Sequence, residues 1–425
     1  MRGQFILWGN FVMKPIFRAI FVGLVLGVLI GCVQPQEQPK VPEADAQAVI
    51  EGNNRFALDL YDQLAKDEDG NLFISPFSVS TALAMTYAGA DGDTEAQMAD
   101  VLHLPMPEDK LHATYNYLLK DLNRRVEDSD SELRVANALW AQKDFDFLKQ
   151  FVMLLEDNYE AALHEVNFKD PRGRQDASEL VNGWVEDRTE GKIEDLIQPD
   201  MLSKLTRLIL TNAIYFKGSW AQEFKDRKTY DSPFTLSDGT ELEVPTMHQS
   251  SKFQFAHLDG VKALELPYSD GDLSMVILLP DTHEGLEKLE KSLTFGRLKR
   301  ILGNLRETEV NVALPRFKIT WKAMLEKPLK EMGMKDAFSL PPADFSGMTG
   351  SKDLMIQHVV HKAFVEVNEE GSEAAAATGV VIGKTSIVVR KEFRANHPFL
   401  FLIRDGETGS ILFMGRVANP APDSA

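Results

Sequence analysis

The segment 371–383 (GSEAAAATGVVIG) limits the possible folds more than any other stretch of the chain. It lies between two strand-like stretches, HKAFVEV and SIVVRKEF, and consists mainly of small and β-branched residues. Its four successive alanines, Ala374, Ala375, Ala376 and Ala377, favour a helix by intrinsic propensity. Gly371 ahead of them, and Gly379 followed by Val380, Val381 and Ile382, oppose one. Read with a period of two, one face carries Ser372, Ala374, Ala376, Thr378, Val380 and Ile382. The other carries Glu373, Ala375, Ala377, Gly379, Val381 and Gly383, so the only charge falls on that second face. A strand sliding between existing neighbours over a packed core needs such an uncharged face, because a charge there would be buried without a partner. Any fold for this chain must therefore hold a long inter-strand segment that is itself fit to become a buried strand.

The rest of the sequence indicates what surrounds it. The 425 residues are 44% apolar and 26% charged, an ordinary globular composition with length for a large core. Helical spacing places a helix over 53–64 and another over 78–89, with Ser75-Pro76 as its start signal. Helical patterns recur at 94–103, 110–125, 147–160 and 176–190. Strand-like stretches follow at 205–216, 262–268, 273–280 and 309–319, and the last third is rich in strand. Helices early, strands late and no βαβ alternation give an α+β class on mostly antiparallel sheet. No second linker interrupts the chain, so one domain is expected over about 49–420.

The N-terminal 32 residues read as an export signal. Lys14 and Arg18 precede an uncharged run over 19–30, shorter than the ~20 residues that cross a bilayer. The run ends in Leu29-Ile30-Gly31-Cys32, which resembles a bacterial lipobox whose cysteine is lipidated. Met13 is an alternative start, since MKPIFRAIFVGLVLGVLIGC is a compact signal by itself. Cys32 is the only cysteine, which excludes a disulfide within the chain. Residues 33–48, rich in proline and glutamine, read as a disordered tether. The expected location is the bacterial cell envelope, with the outer membrane or cell surface favoured because Val33 follows the cysteine where an aspartate often marks inner-membrane retention. The signal holds Arg2, Lys14 and Arg18 and no acid, which takes the formal charge from −18 to −21 in the mature chain. That charge and the lack of a basic block exclude a general nucleic-acid binder.

Enzyme chemistry finds no foothold. No GxSxG elbow or HExxH motif is present, and the nine histidines are scattered singly. The nearest nucleotide-binding motif, GVVIGKT at 379–385, is one residue short of a phosphate loop and leads into β-branched residues, not a helix. No metal, cofactor or catalytic residue is expected.

Five blocks in order resemble the serpin family, covering nearly the whole chain after residue 50. They are NLFISPFSVSTALAM at 71–85, TNAIYFKGSW at 211–220, VHKA at 360–363, FRANHPFLFLI at 393–403 and ILFMGRVANP at 411–420. The resemblance implies one large domain of three mostly antiparallel sheets with eight or nine helices and an exposed reactive-centre loop over about 369–392. It implies an inhibitor of serine proteases, and possible action on cysteine proteases, by suicide cleavage. The hinge would comprise Glu369, Glu370, Gly371, Ser372, Glu373, Ala374, Ala375, Ala376, Ala377 and Thr378. Ser75, Ser78, Asn212 and His361 would form the hydrogen-bonded region where the sheet parts, and Trp220 the top where insertion begins.

The family's hinge length puts the scissile bond between Thr385 and Ser386, which suits elastase-like or subtilisin-like proteases. The alternative bond, Lys384 to Thr385, suits trypsin-like enzymes. The expected partners are these proteases and, through lipid on Cys32, a membrane; the chain is expected to be a monomer. Two other readings stay open here, a non-inhibitory serpin acting as substrate or carrier, and a surface lipoprotein with a binding or adhesion role.

Overall fold

A computed structural model describes residues 41–127, 131–159, 163–269, 271–372 and 390–421. Its helices are α1 (Glu43–Ala65), α2 (Pro76–Tyr87), α3 (Gly92–Val101), α4 (Glu108–Glu127) and α5 (Lys149–Tyr159). After these come α6 (Pro171–Arg188), α7 (Leu286–Ser292), α8 (Phe295–Gly303), α9 (Glu326–Met332) and α10 (Ser346–Thr349). The strands are β1 (Leu72–Ile74), β2 (Glu132–Gln142), β3 (Leu163–Val166), β4 (Leu208–Ser219) and β5 (Thr229–Thr235). The chain continues with β6 (Glu241–Leu258), β7 (Val261–Pro267), β8 (Leu273–Pro280), β9 (Arg306–Pro315) and β10 (Phe317–Met324). It ends with β11 (His358–Val367), β12 (Gly371–Ser372), β13 (Lys391–Arg394), β14 (Phe399–Asp405) and β15 (Ile411–Val417).

These strands form two hydrogen-bonded networks among the described residues. One runs β1-β15-β14-β8-β7-β6-β9-β13, with β5 also on β6. The other runs β10-β11-β4-β2-β3, with β12 also on β4. Three sheets were expected; two of them run together here because the 18-residue β6 pairs with β5 at its start and with β9 and β7 further along. The α-helices number ten among the described residues, against eight or nine expected, the extra ones being short. All pairings are antiparallel except β2 with β3, β4 with β11 and β9 with β13.

The α+β fold buries both faces of the central strands β11 and β4 of the β10-β11-β4-β2-β3 sheet, while the edge strands β10 and β3 stay partly exposed. Helix α2 has no polar face, and each of its 12 residues is buried. It contacts β2 and β4 of this sheet and β15 of the other, so it sits between the two networks. On the opposite face, Val181 and Val185 of α6 share a core cluster with Trp140, Tyr215 and Phe364 of β2, β4 and β11.

Several boundaries differ from the sequence reading. Helix α1 begins at Glu43, so residues 43–48, read as tether, belong to the fold. Ala46 and Val49 are buried on that helix, and Glu43 and Asp45 suit the positive end of its dipole. The stretch read as one strand over 309–319 is two, because the chain passes from one network to the other at Pro315 and Arg316. Strand β2 was not expected at all. Its second half is buried on both faces, which removes the alternation that marks a strand, and its alanines and leucines favour a helix.

Candidate functional site

The site forms where two parallel strands meet in a sheet that is otherwise antiparallel around them. β4 pairs with β11 in parallel, Ile209 to Tyr215 against His358 to Phe364. β2 flanks β4 antiparallel on one side, and β10 flanks β11 antiparallel on the other. Parallel pairing is slightly weaker per residue than antiparallel. A strand entering between β4 and β11 and running the opposite way would make antiparallel ladders with both.

The chain already turns in that direction. After β11 it reverses over 368–371, and β12 pairs antiparallel with β4, Gly371 opposite Ser219 and Ser372 opposite Gly218. The reversal is fully hydrogen-bonded. Asn368 N–H donates to the Gly371 carbonyl (2.9 Å), and Asn368 Oδ1 accepts from the N–H groups of Glu370 and Gly371. Trp220 Nε1 donates to the Asn368 carbonyl (3.0 Å), Trp220 N–H to that of Glu370 (2.9 Å) and Phe224 N–H to that of Glu369 (2.9 Å). No carbonyl of the turn is left over. Gly371 sits at φ +149°, and a Cβ there would lie 2.0 Å from the Gly218 carbonyl oxygen, so only glycine fits. Trp220 is held by stacking on Tyr268, with centroids 4.8 Å apart and planes at 7°.

Glu369 pins the foot of the turn. It is buried and takes hydrogen bonds from Arg316 Nε (2.9 and 2.8 Å) and Nη2, and from Thr229 Oγ1. Burial alone would lift its carboxyl, but the bonds from Arg316 and Thr229 hold it below the usual carboxylate range. Glu370 goes the other way, raised by partial burial and by the charges of Glu223, Asp226 and Glu369.

Lower in the same seam, one row of polar side chains crosses three strands. Asn137 of β2 lies opposite Asn212 of β4, which lies opposite His361 of β11. Asn212 Nδ2 donates to Ser78 Oγ (2.6 Å) and to Asn137 Oδ1. His361 Nε2 accepts from the Ser75 N–H (3.2 Å), which puts the ring proton on Nδ1, donated to Asn212 Oδ1. Ser75 Oγ donates to the Leu412 carbonyl (2.7 Å) and accepts from the Ser78 N–H as the cap of α2. Ser75, Ser78, Asn212 and His361 are all buried, and burial pushes the His361 imidazole down to about 3.

Ser75, Ser78, Asn212 and His361 thus meet in one network, while Trp220 stands apart from it at the reversal, beside Glu369, Glu370, Gly371 and Ser372. Glu373, Ala374, Ala375, Ala376, Ala377 and Thr378 lie outside the described residues, as do Lys384, Thr385, Ser386 and Cys32. Sequence reasoning missed Asn137, although a lone polar residue inside VANALWA is the signal of a buried, partnered group. It also missed Arg316 and Thr229, which nothing in the sequence links to Glu369. Among the described residues no group of three or more His, Cys, Asp or Glu could hold a metal, and no helix is long and apolar enough to cross a membrane.

Comparison with known proteins gives this geometry a setting. Residues 51–420 match the family model described as serpin (serine protease inhibitor). The leukocyte elastase inhibitor of Bos taurus is 44% identical over 377 residues, covering 87% of this chain and 98% of the relative. An uncharacterized serpin-like protein of Thermococcus kodakarensis is 42% identical, over 89% of this chain and 87% of its own. Among solved structures, a highly specific serpin of the insect Tenebrio molitor has a TM-score of 0.79 at 34% identity, covering 90% of this chain and 100% of that one. Uncleaved ovalbumin has a TM-score of 0.79 at 32% identity, covering 88% and 100%.

Two consequences are measurable. His361 is neutral in the fold and protonates near pH 6.5 when unfolded, so its stabilising share is complete above that pH and is lost as pH falls toward about 3. Burial also lowers the imidazoles of His164 and His397. Thermal unfolding of His361→Gln should therefore depend less on pH between 4 and 6.5 than that of the parent (both pH values roughly, from the histidine reference); equal slopes would remove His361 from this role. Separately, Arg316→Ala leaves the Glu369 carboxylate buried with Thr229 alone. It should cost about 1–3 kcal/mol in urea unfolding, with no loss expected if the pair is merely a surface contact.

Proposed function

The chain belongs to the serpin family, and from that premise we propose that it is an exported, lipid-anchored inhibitor that traps the serine protease which cleaves it. The observation that carries the reading is the reversal at 368–371, which seats Gly371 and Ser372 antiparallel on β4 at the mouth of the parallel β4–β11 seam. The uncharged face over 372–382 continues from that point with residues suited to burial.

The chemistry belongs to the protease. Its nucleophilic oxygen attacks the scissile carbonyl carbon, the C–N bond breaks, and the protease's base passes the proton to the departing amine. The inhibitor stays attached through its new acyl ester. Freed at one end, the hinge enters the seam as a strand between β4 and β11. Some 14 inserted residues at ~3.3 Å each carry the attached protease about 45 Å. Distortion of its active site then keeps water from finishing the hydrolysis. The chain supplies no nucleophile, base or metal of its own in this scheme. The row Ser78-Asn137-Asn212-His361 is where β4 and β11 separate, and Trp220 with Glu369 marks where separation starts.

For the bait we favour cleavage after Thr385 by an elastase-like or subtilisin-like protease. Relatives 41–44% identical that are named leukocyte elastase inhibitors support the elastase-like choice. Cleavage after Lys384 by a trypsin-like protease is the alternative, and mass spectrometry of the cleaved chain separates the two. The lipid anchor rests on the run over 19–30 and on Leu29-Ile30-Gly31-Cys32. With Cys32 lipidated as at a lipobox, we assign the protein to the bacterial cell envelope, with the outer membrane or cell surface favoured over the inner membrane. Radiolabelled palmitate should enter the protein and be lost in Cys32→Ala; equal labelling of both would refute the anchor.

On denaturing gels, incubation with elastase, subtilisin and trypsin should give a covalent complex with at least one of them. Thr378→Arg places a charge on the uncharged face and should yield cleaved product with little complex. Cleavage without complex by the parent itself would point to a substrate or carrier, and no cleavage to a binding protein.

A further inference from the structure

The β4–β11 ladder has a defined upper end. Its last pair is Tyr215 of β4 opposite Phe364 of β11. Beyond that pair, among the described residues, 365–367 of β11 pair with β10 alone, while β4 takes up β12 at Gly218 and Ser219. The two strands part at this point. Tyr215–Phe364 is therefore the first contact that any opening from the mouth has to break.

More than backbone holds this pair together. Both side chains are buried, and their ring centroids lie 6.1 Å apart with planes at 40°. They share a core cluster with Val181 and Val185, so they face α6. The turn after α6 brings Lys192 over them. That turn is fixed: Lys192 N–H donates to the Thr189 carbonyl (2.9 Å), and Thr189 Oγ1 accepts from the Ile193 N–H (3.2 Å) while donating to the Val185 carbonyl (2.8 Å). Lys192 Nζ stands 5.8 Å from the Tyr215 ring centroid and 6.0 Å from that of Phe364. One cation thus serves two rings on opposite sides of the seam. Lys318 of β10 also places Nζ 5.2 Å from the Phe364 ring, and it pairs with Glu366 (3.3 Å). That second contact lies wholly on the β10–β11 side and does not cross the seam.

We propose that Lys192, Tyr215 and Phe364 form a clasp that limits how fast the seam opens at its mouth. The proposal rests on the inhibitor reading above. A strand entering between β4 and β11 sets the two rings one further strand spacing apart, ~4.8 Å. The ammonium group then keeps one ring and leaves the other, because its attraction to a ring face holds within about 6 Å of the centroid. The ring–ring contact is lost as well, with the new strand lying between. Both interactions exist only in the closed sheet, so they favour it over the open one. The clasp differs in kind from the polar row below it. Asn212 and His361 are fully buried and need new partners on parting, whereas Lys192 is partly exposed and returns to water. The three act as positioning residues, since none of them touches the protease.

The test measures how fast the uncut full chain takes up a fluorescein-labelled synthetic peptide, SEAAAATGVVIGKT, whose sequence is that of 372–385. Retention of the label on native gels gives the rate. Lys192→Met keeps the apolar stem and removes the charge, and Phe364→Leu removes one ring. Each should speed uptake about fivefold. The double variant should be no faster than the faster single one, because a clasp missing either half is already open. Lys318→Met should stay close to the parent, since its contact with Phe364 survives the parting of β4 from β11. If Phe364→Leu fails to fold, Lys192→Met against Lys318→Met decides the matter. Parent-like uptake by Lys192→Met, or equal acceleration by Lys318→Met, would overturn the clasp. So would a parent that traps a protease covalently yet takes up no peptide. A parent that neither takes up peptide nor forms a covalent complex with elastase, subtilisin or trypsin would overturn the inhibitor reading, and the clasp with it.

Discussion

The parallel contact between β4 and β11 is the constraint around which the rest of the structure is arranged. Both strands have antiparallel partners on their outer sides, and helix α2 lies under the sheet while α6 covers it. The seam is closed by backbone pairing over seven residues of each strand and by one buried polar row. That row is costly to open. Parting β4 from β11 separates Asn212 from His361, and each buried polar group then needs a new partner. It is also specific, because His361 must stay neutral to accept from Ser75 while donating to Asn212. The seam is thus a closed but openable contact: weaker than its neighbours in backbone geometry, and fastened by a few identifiable side chains.

The foot of the bait is arranged with equal economy. Trp220, Phe224 and Asn368 satisfy the backbone of the reversal, and Arg316 and Thr229 hold Glu369. Gly371 lets its backbone approach Gly218 and Ser219 more closely than any side chain would permit. The first residues of a possible new strand are therefore docked before any bond is cut. Insertion would extend an existing ladder and would not have to nucleate one.

Much of this was legible in the sequence. The uncharged face over 372–382 and the order of the five family blocks pointed to the fold, and the helix start at Ser75-Pro76 is where the structure has it. What was lost was lost for physical reasons. β2 is built of helix-favouring residues and is made a strand by its neighbours, so Asn137 went unseen with it. The Glu369–Arg316 pair spans 53 residues and two sheet networks, and no local pattern encodes it. The prolines of 33–48 drew the tether too long, although Ala46 and Val49 already carried the apolar spacing of α1. The fusion of two sheets through β6 depends on one long strand taking different partners along its length, which appears only once those partners are placed.

Trapping by insertion requires the bait to enter the seam between β4 and β11. The most direct measurement is a crystal structure of the chain after cleavage within 384–387. That structure should show a new strand from Ser372 onward, antiparallel to both β4 and β11, with Asn212 and His361 no longer bonded to each other. A cleaved chain in which His358–Phe364 still pairs with Ile209–Tyr215 would contradict it.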